Sequence, residues 1–132
     1  MKHLSDYTEA AQTELYNKTG AFWAFGSEQL AESKKPGVIY KQFNGGLFVP
    51  ENEAREFVRG YASLIKNGID ADIKENGLRA IIRRELFNYE CFLTCDISDC
   101  ADALADYPGI TRARVLEVYR EIKQTEDLSE YY

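Results

Sequence analysis

Val38-Ile39-Tyr40-Lys41-Gln42-Phe43-Asn44-Gly45-Gly46-Leu47-Phe48-Val49 is the stretch that decides the fold class. Val38 to Phe43 is rich in β-branched and aromatic residues, Asn44-Gly45 is a favoured two-residue hairpin turn, and Leu47 to Val49 makes the return. Just upstream, Ala21-Phe22-Trp23-Ala24-Phe25 lies between Gly20 and Gly26, too short for a helix and apolar enough for a buried strand. A small antiparallel sheet follows from these two segments.

The rest of the chain carries helical periodicity. From Leu4 to Lys18 apolar residues recur at three- and four-residue steps, with Ser5 or Asp6 as cap and Gly20 past the end. A short helix is expected from Ser27 to Lys35, before Pro36-Gly37. Pro50 opens a helix to Asn67 whose stripe is Ala54, Phe57, Val58, Tyr61, Leu64 and Ile65, with Gly68 as its end. A further helix spans Asp70 to Phe92, with Gly77 as a break. Ser98 caps a short helix to Leu104, and Thr111 caps a last one carrying Val115, Val118, Tyr119 and Ile122. The expected fold is α+β and mostly helical, with helices packed on a small antiparallel sheet containing a β-hairpin. Residues 1–132 read as a single domain, with a polar, acidic tail at 125–132 that frays.

Composition narrows the function classes. With 45% hydrophobic residues the chain has ample material for a core without disulfides or metals. A net charge of −6 opposes the counterion release that non-specific nucleic-acid binding requires, so nucleic acid is not an expected partner, and an acidic surface fits a basic protein better. No apolar run approaches the roughly 20 residues of a membrane helix, and no leader or lipidation motif is recognisable. The three cysteines, Cys91, Cys95 and Cys100, are an odd number without a secretory context. A reducing, cytoplasmic setting is the expectation.

Glu85 is the most informative side chain, because at 100° per residue it falls among Ile81, Ile82 and Tyr89, inside the apolar stripe of its helix. A carboxylate there must be protonated, paired with arginine, hydrogen-bonded by amides or bound to a ligand. The plain reading is a satisfied core carboxylate; the sharper one is a binding or catalytic group. Asn88 lies near it on the wheel and Glu90 does not, so the two-carboxylate arrangement of glycosidases is not supported. Cys-x3-Cys-x4-Cys lacks the spacing of zinc knuckles, and the only histidine, His3, sits near the terminus. No cofactor or metal is indicated, and no glycine stretch matches a phosphate loop or a dinucleotide fingerprint. Phe22, Trp23, Phe25, Tyr40, Phe43 and Phe48 read as core, or alternatively as the lining of an apolar pocket. Arg112 and Arg114 open the last helix as in a helix-turn-helix reader, but Asp96, Asp99, Asp102 and Asp106 precede it and would repel phosphate.

Gly20-Ala-Phe-Trp-Ala-Phe-Gly-Ser-Glu-Gln-Leu, Lys34-Lys-Pro-Gly-Val, the hairpin and Arg84-Glu-Leu-Phe-Asn-Tyr-Glu-Cys91 together resemble a family of small uncharacterised proteins of bacteriophages and mobile elements in gut bacteria. That family often has histidine where this chain has Tyr89, which argues against metal or acid–base chemistry on that helix. The resemblance implies no activity, but a context in which small proteins bind and block a host protein. The expected function is therefore non-enzymatic protein binding. The alternative is a small-molecule or enzymatic site built from the aromatic cluster and Glu85, with Trp23, Tyr40, Asn88 and Tyr89 as further binding candidates. Nothing in the residues sets the oligomeric state.

Overall fold

A computed structural model describes residues 2–131. The chain divides by its contacts into two compact units, Lys2–Gly68 and residues 69–131, and each is taken in turn. No helix among the described residues is long and apolar enough to cross a membrane.

The first unit contains α1 (Leu4–Thr19), β1 (Phe22–Trp23), α2 (Ser27–Ser33), β2 (Tyr40–Phe43), β3 (Leu47–Pro50) and the first part of α3 (Ala54–Asn76). The fold is α+β, and the hairpin joins two paired strands as expected: the sheet order is β1-β3-β2, antiparallel throughout. Its loop is longer than the two-residue turn expected, because Phe43 pairs with Leu47 across Asn44, Gly45 and Gly46. Gly46 has φ +96°, and a Cβ there would stand 2.5 Å from the Ala24 carbonyl oxygen. Glycine thus lets the loop approach closely enough for the Ala24 N–H to donate to the Gly46 carbonyl at 2.9 Å.

The apolar run 21–25 corrects a second expectation. Only Phe22 and Trp23 pair with β3; Ala21 and Ala24 are buried, whereas Trp23 and Phe25 are exposed. Proline explains the short ladder. The Glu51 N–H donates to the Ile39 carbonyl, so alternation along β3 turns the Pro50 nitrogen toward β1, where it has no proton to give.

One face of the sheet is covered by α1 and α3, where Leu15, Phe57 and Leu64 bury Ala21, Leu47 and Val49. The cap of α1 is His3 rather than Ser5 or Asp6: the Asp6 carboxylate accepts the His3 N–H at 2.8 Å. Pro50 closes β3, and helical geometry begins after it. The third helix does not end at Asn67. It continues through Gly68 to Asn76, because glycine serves here as a space for α1: a Cβ at Gly60 would lie 2.6 Å from Leu15 Cδ1, and one at Gly68 2.5 Å from Thr8 Cγ2.

The second unit holds the end of α3, then α4 (Leu78–Asn88), α5 (Cys91–Thr94), α6 (Ser98–Ala103) and α7 (Arg112–Thr125). The single helix expected from Asp70 to Phe92 is three pieces. Gly77, at φ +76°, ends α3 by donating to the Ile73 carbonyl and starts α4 by accepting from Ile81. Glu90, at φ +53°, then separates α4 from α5. Thr111 caps α7 by accepting the Arg114 N–H, while Asp96, not the cap Ser98, serves α6 by accepting the Ser98 N–H. Packing of α4 against α5, α6 and α7 buries Ile81, Ile82, Leu86, Phe92, Leu104, Val115, Val118 and Ile122. Arg79–Glu121 and Arg83–Glu126 join α4 to α7 at the surface, and Leu128 is buried beyond the end of α7.

Candidate functional site

In the second unit, Glu85 is buried and paired with arginine. Arg84 Nε donates to Glu85 Oε1 at 2.8 Å, and Asn88 Nδ2 donates more loosely to Oε2 at 3.4 Å. Arg84 is itself buried, and its two terminal nitrogens fork onto Asp72, at 2.9 Å each. Asp72 is fully enclosed, and it also accepts from Tyr107 Oη at 2.6 Å and Asn76 Nδ2 at 2.8 Å. A second carboxylate thus stands near Glu85, from another helix and through a shared guanidinium, as a partner in an ion cluster. The neighbours of Glu85 on its own helix could not show it, because Asp72 comes from α3.

Burial alone would push the Asp72 carboxyl up, but the hydrogen bonds from Arg84, Tyr107 and Asn76 outweigh it and hold that carboxyl below its ordinary range. Burial would depress Arg84, yet Asp72 and Glu85 raise it, so the guanidinium stays charged. The Tyr107 phenol is pushed up by burial and by the carboxylate it donates to. Among the described residues no buried side-chain nitrogen or oxygen lacks a hydrogen-bond partner. This cluster holds three chain segments together, and Asp72 accepts four hydrogen bonds within it. Tyr89, just past the end of α4, is exposed.

The signal for Asp72 was present in the sequence. Leu64, Gly68, Asp72 and Asn76 recur every four residues, so the stripe of α3 continues past the glycine and carries an aspartate inward. Reading Gly68 as a stop hid it.

Cys91 and Cys100 are buried thiols, and burial pushes Cys100 up to about 12. Cys95 is exposed. No group of three metal-ligating side chains among the described residues is arranged to hold an ion.

Trp23 and Tyr40 belong to the first unit, and of the six aromatics read as core Phe43 does pack against it, its ring centroid 6.0 Å from that of Phe57, whereas the other five lie outside the buried cluster. Leu47 and Val49 face the helices, so the two-residue period of β3 turns Phe48 to the opposite face, with its cross-strand neighbours Phe22 and Gln42. Phe22 packs on Tyr40 and Phe48 with centroids 5.4 and 5.7 Å apart, all three half-buried. Two exposed pairs stand elsewhere on this unit, and Trp23, the strand partner of Leu47, lies on the face that carries the helices. Trp23, 44% exposed, stacks on Phe25, 75% exposed, beside the hairpin loop, and Trp23 Nε1 donates to Tyr16 Oη at 3.0 Å. At the other end, Val38 and Ile39, the latter 70% exposed, lead into β2.

A cleft of about 670 Å³ opens next to them, with Lys18, Lys35, Ile39, Tyr40, Pro50 and Glu51 in its wall. The charge of the chain is unevenly shared. Residues 2–68 hold eight acidic and eight basic side chains, so the net −6 lies entirely in the remainder, fourteen acidic against eight basic.

A family of unknown function (DUF7659) matches residues 4–125, and the chain belongs to it. No curated protein and no solved structure matches.

Proposed function

Starting from a family without an assigned activity, we propose that this chain is a non-enzymatic binding protein that engages another protein through the apolar surface of its first unit. One observation carries this reading: Trp23, Phe25, Val38 and Ile39 stand exposed in and beside the small sheet of the first unit, whose face away from the helices carries the half-buried rings of Phe22, Tyr40 and Phe48, where a small unit would ordinarily keep such side chains apart or inside. The buried ionic cluster supports it from the other side, because Asp72, Arg84 and Glu85 are bound to one another inside the second unit. The partner class we assign is a host protein met in the cytoplasm, in keeping with the resemblance to proteins of phages and mobile elements. Three free thiols fit that compartment.

A second reading has its own observation, the cleft beside Tyr40, whose size is that of a small-molecule site. Affinity capture from the native host with the tagged protein, followed by mass spectrometry, separates the two. Protein binding predicts one host protein enriched above control in a fixed ratio to the bait. A metabolite copurifying in stoichiometric amount, with no protein enriched, would replace it by the ligand reading.

A further inference from the structure

We infer that the free edge of β2 receives an extended, acidic segment of the partner polypeptide by strand addition; this rests on the protein-binding reading and names the chemistry of its contact. β2 is paired to β3 on one side only, which leaves a sheet edge open. Since Ile39 accepts from Glu51, ladder alternation directs the backbone groups of Lys41 and Phe43 to β3 and those of Tyr40 and Gln42 to the open side. An incoming strand would use these for its main-chain hydrogen bonds.

Charge selects the strand. From Ser33 to Pro50 there is no acidic residue, while Lys34, Lys35 and Lys41 are exposed and make no ion pair among the described residues. A second copy of β2 would bring Lys41 near its own equivalent, an unfavourable cross-strand pairing. Nucleic acid has no peptide backbone with which to continue the ladder. A polypeptide with acidic residues at alternate positions meets Lys41 on one face, and apolar residues between them meet Tyr40 on the other.

The test is a selection of displayed random ten-residue peptides on the immobilised full chain. Enriched sequences should alternate acidic with apolar residues. The best of them, made as a free peptide, should bind at least about tenfold more weakly to Lys41→Glu and to Gln42→Pro, which removes an outward N–H and no ladder bond. Hydrogen exchange on the wild-type chain should show the Gln42 amide protected by the peptide, a readout independent of whether the proline variant folds. No enrichment, enrichment without acidic bias, binding that ignores both variants with Gln42 unprotected, or tighter Lys41-dependent binding of a ten-nucleotide oligodeoxythymidine would each overturn the edge proposal. Host-protein capture is unaffected by those outcomes, so the broader reading stands or falls separately.

Discussion

Arg84 grips Asp72 with both terminal nitrogens, Nη1 to Oδ1 and Nη2 to Oδ2 at 2.9 Å, and so ties α4 to the last turns of α3 across Gly77. Two planar groups meeting in a buried fork are geometrically exacting, and lysine cannot reproduce the contact.

Removing the guanidinium leaves two buried carboxylates facing each other. Arg84→Met should therefore destabilise the second unit by about 3 to 5 kcal/mol, and Arg84→Lys should recover only part of that. Glu85→Ala is milder, roughly 1 to 4 kcal/mol, and Glu85→Gln milder still, because Arg84 keeps Asp72 in both. Urea unfolding of the four variants checks the order. Equal stability of Arg84→Met and the wild type would contradict the account of the cluster.

The same pair sets an acid limit. A carboxyl whose folded pKa is depressed contributes stability that is complete above its unfolded pKa, about 4, and is lost as pH falls through the folded value. The melting temperature should stay level from about pH 6 to 5 and drop below about 4. In Asp72→Asn the melting temperature starts lower and the acid drop is smaller, a difference that thermal melts across this range would reveal.

Where α1 crosses α3, the two glycines should respond differently. An added methyl at Gly68 meets the branched and stiff Thr8 at 2.5 Å, so Gly68→Ala should cost about 1 to 3 kcal/mol. At Gly60 the obstacle is the end of the flexible Leu15 side chain, and alanine's better helix propensity offsets up to about 1 kcal/mol. Gly60→Ala should come out nearer neutral in the same denaturation experiment.

These glycines also mark how far the sequence could be read. The strands flanking Asn44-Gly45 were legible because turn chemistry is local, and Glu85 was legible because its neighbours Ile81 and Ile82 lie on its own helix. Gly68 was misread because a glycine that ends a helix and one that admits a neighbouring helix look the same in a single chain. Asp72 was lost with it. Phe22, Tyr40 and Phe48 read as core or as pocket lining from their strand spacing, whereas the alternation of Phe48 with Leu47 and Val49, once the register is known, puts it and its partner Phe22 on the other, half-buried face.

The thiols give a check on burial that needs no variant. Burial raises the Cys91 and Cys100 thiols and closes them to reagents, whereas Cys95 is exposed. A maleimide should label one cysteine in the native chain and three after unfolding, with Cys95 identified by peptide mapping. Rapid native labelling of all three would mean that α5 and α6 open readily.

The central claim is that the exposed apolar surface of the first unit makes the functional contact, and quantitative host capture with Phe25→Asp/Ile39→Asp beside the wild type tests it most directly. Both side chains are too exposed for the change to disturb the core, so the variant should melt with the wild type. The account predicts that the host protein captured by the wild type falls at least about tenfold with the variant. Undiminished capture by a variant of unchanged stability would contradict it.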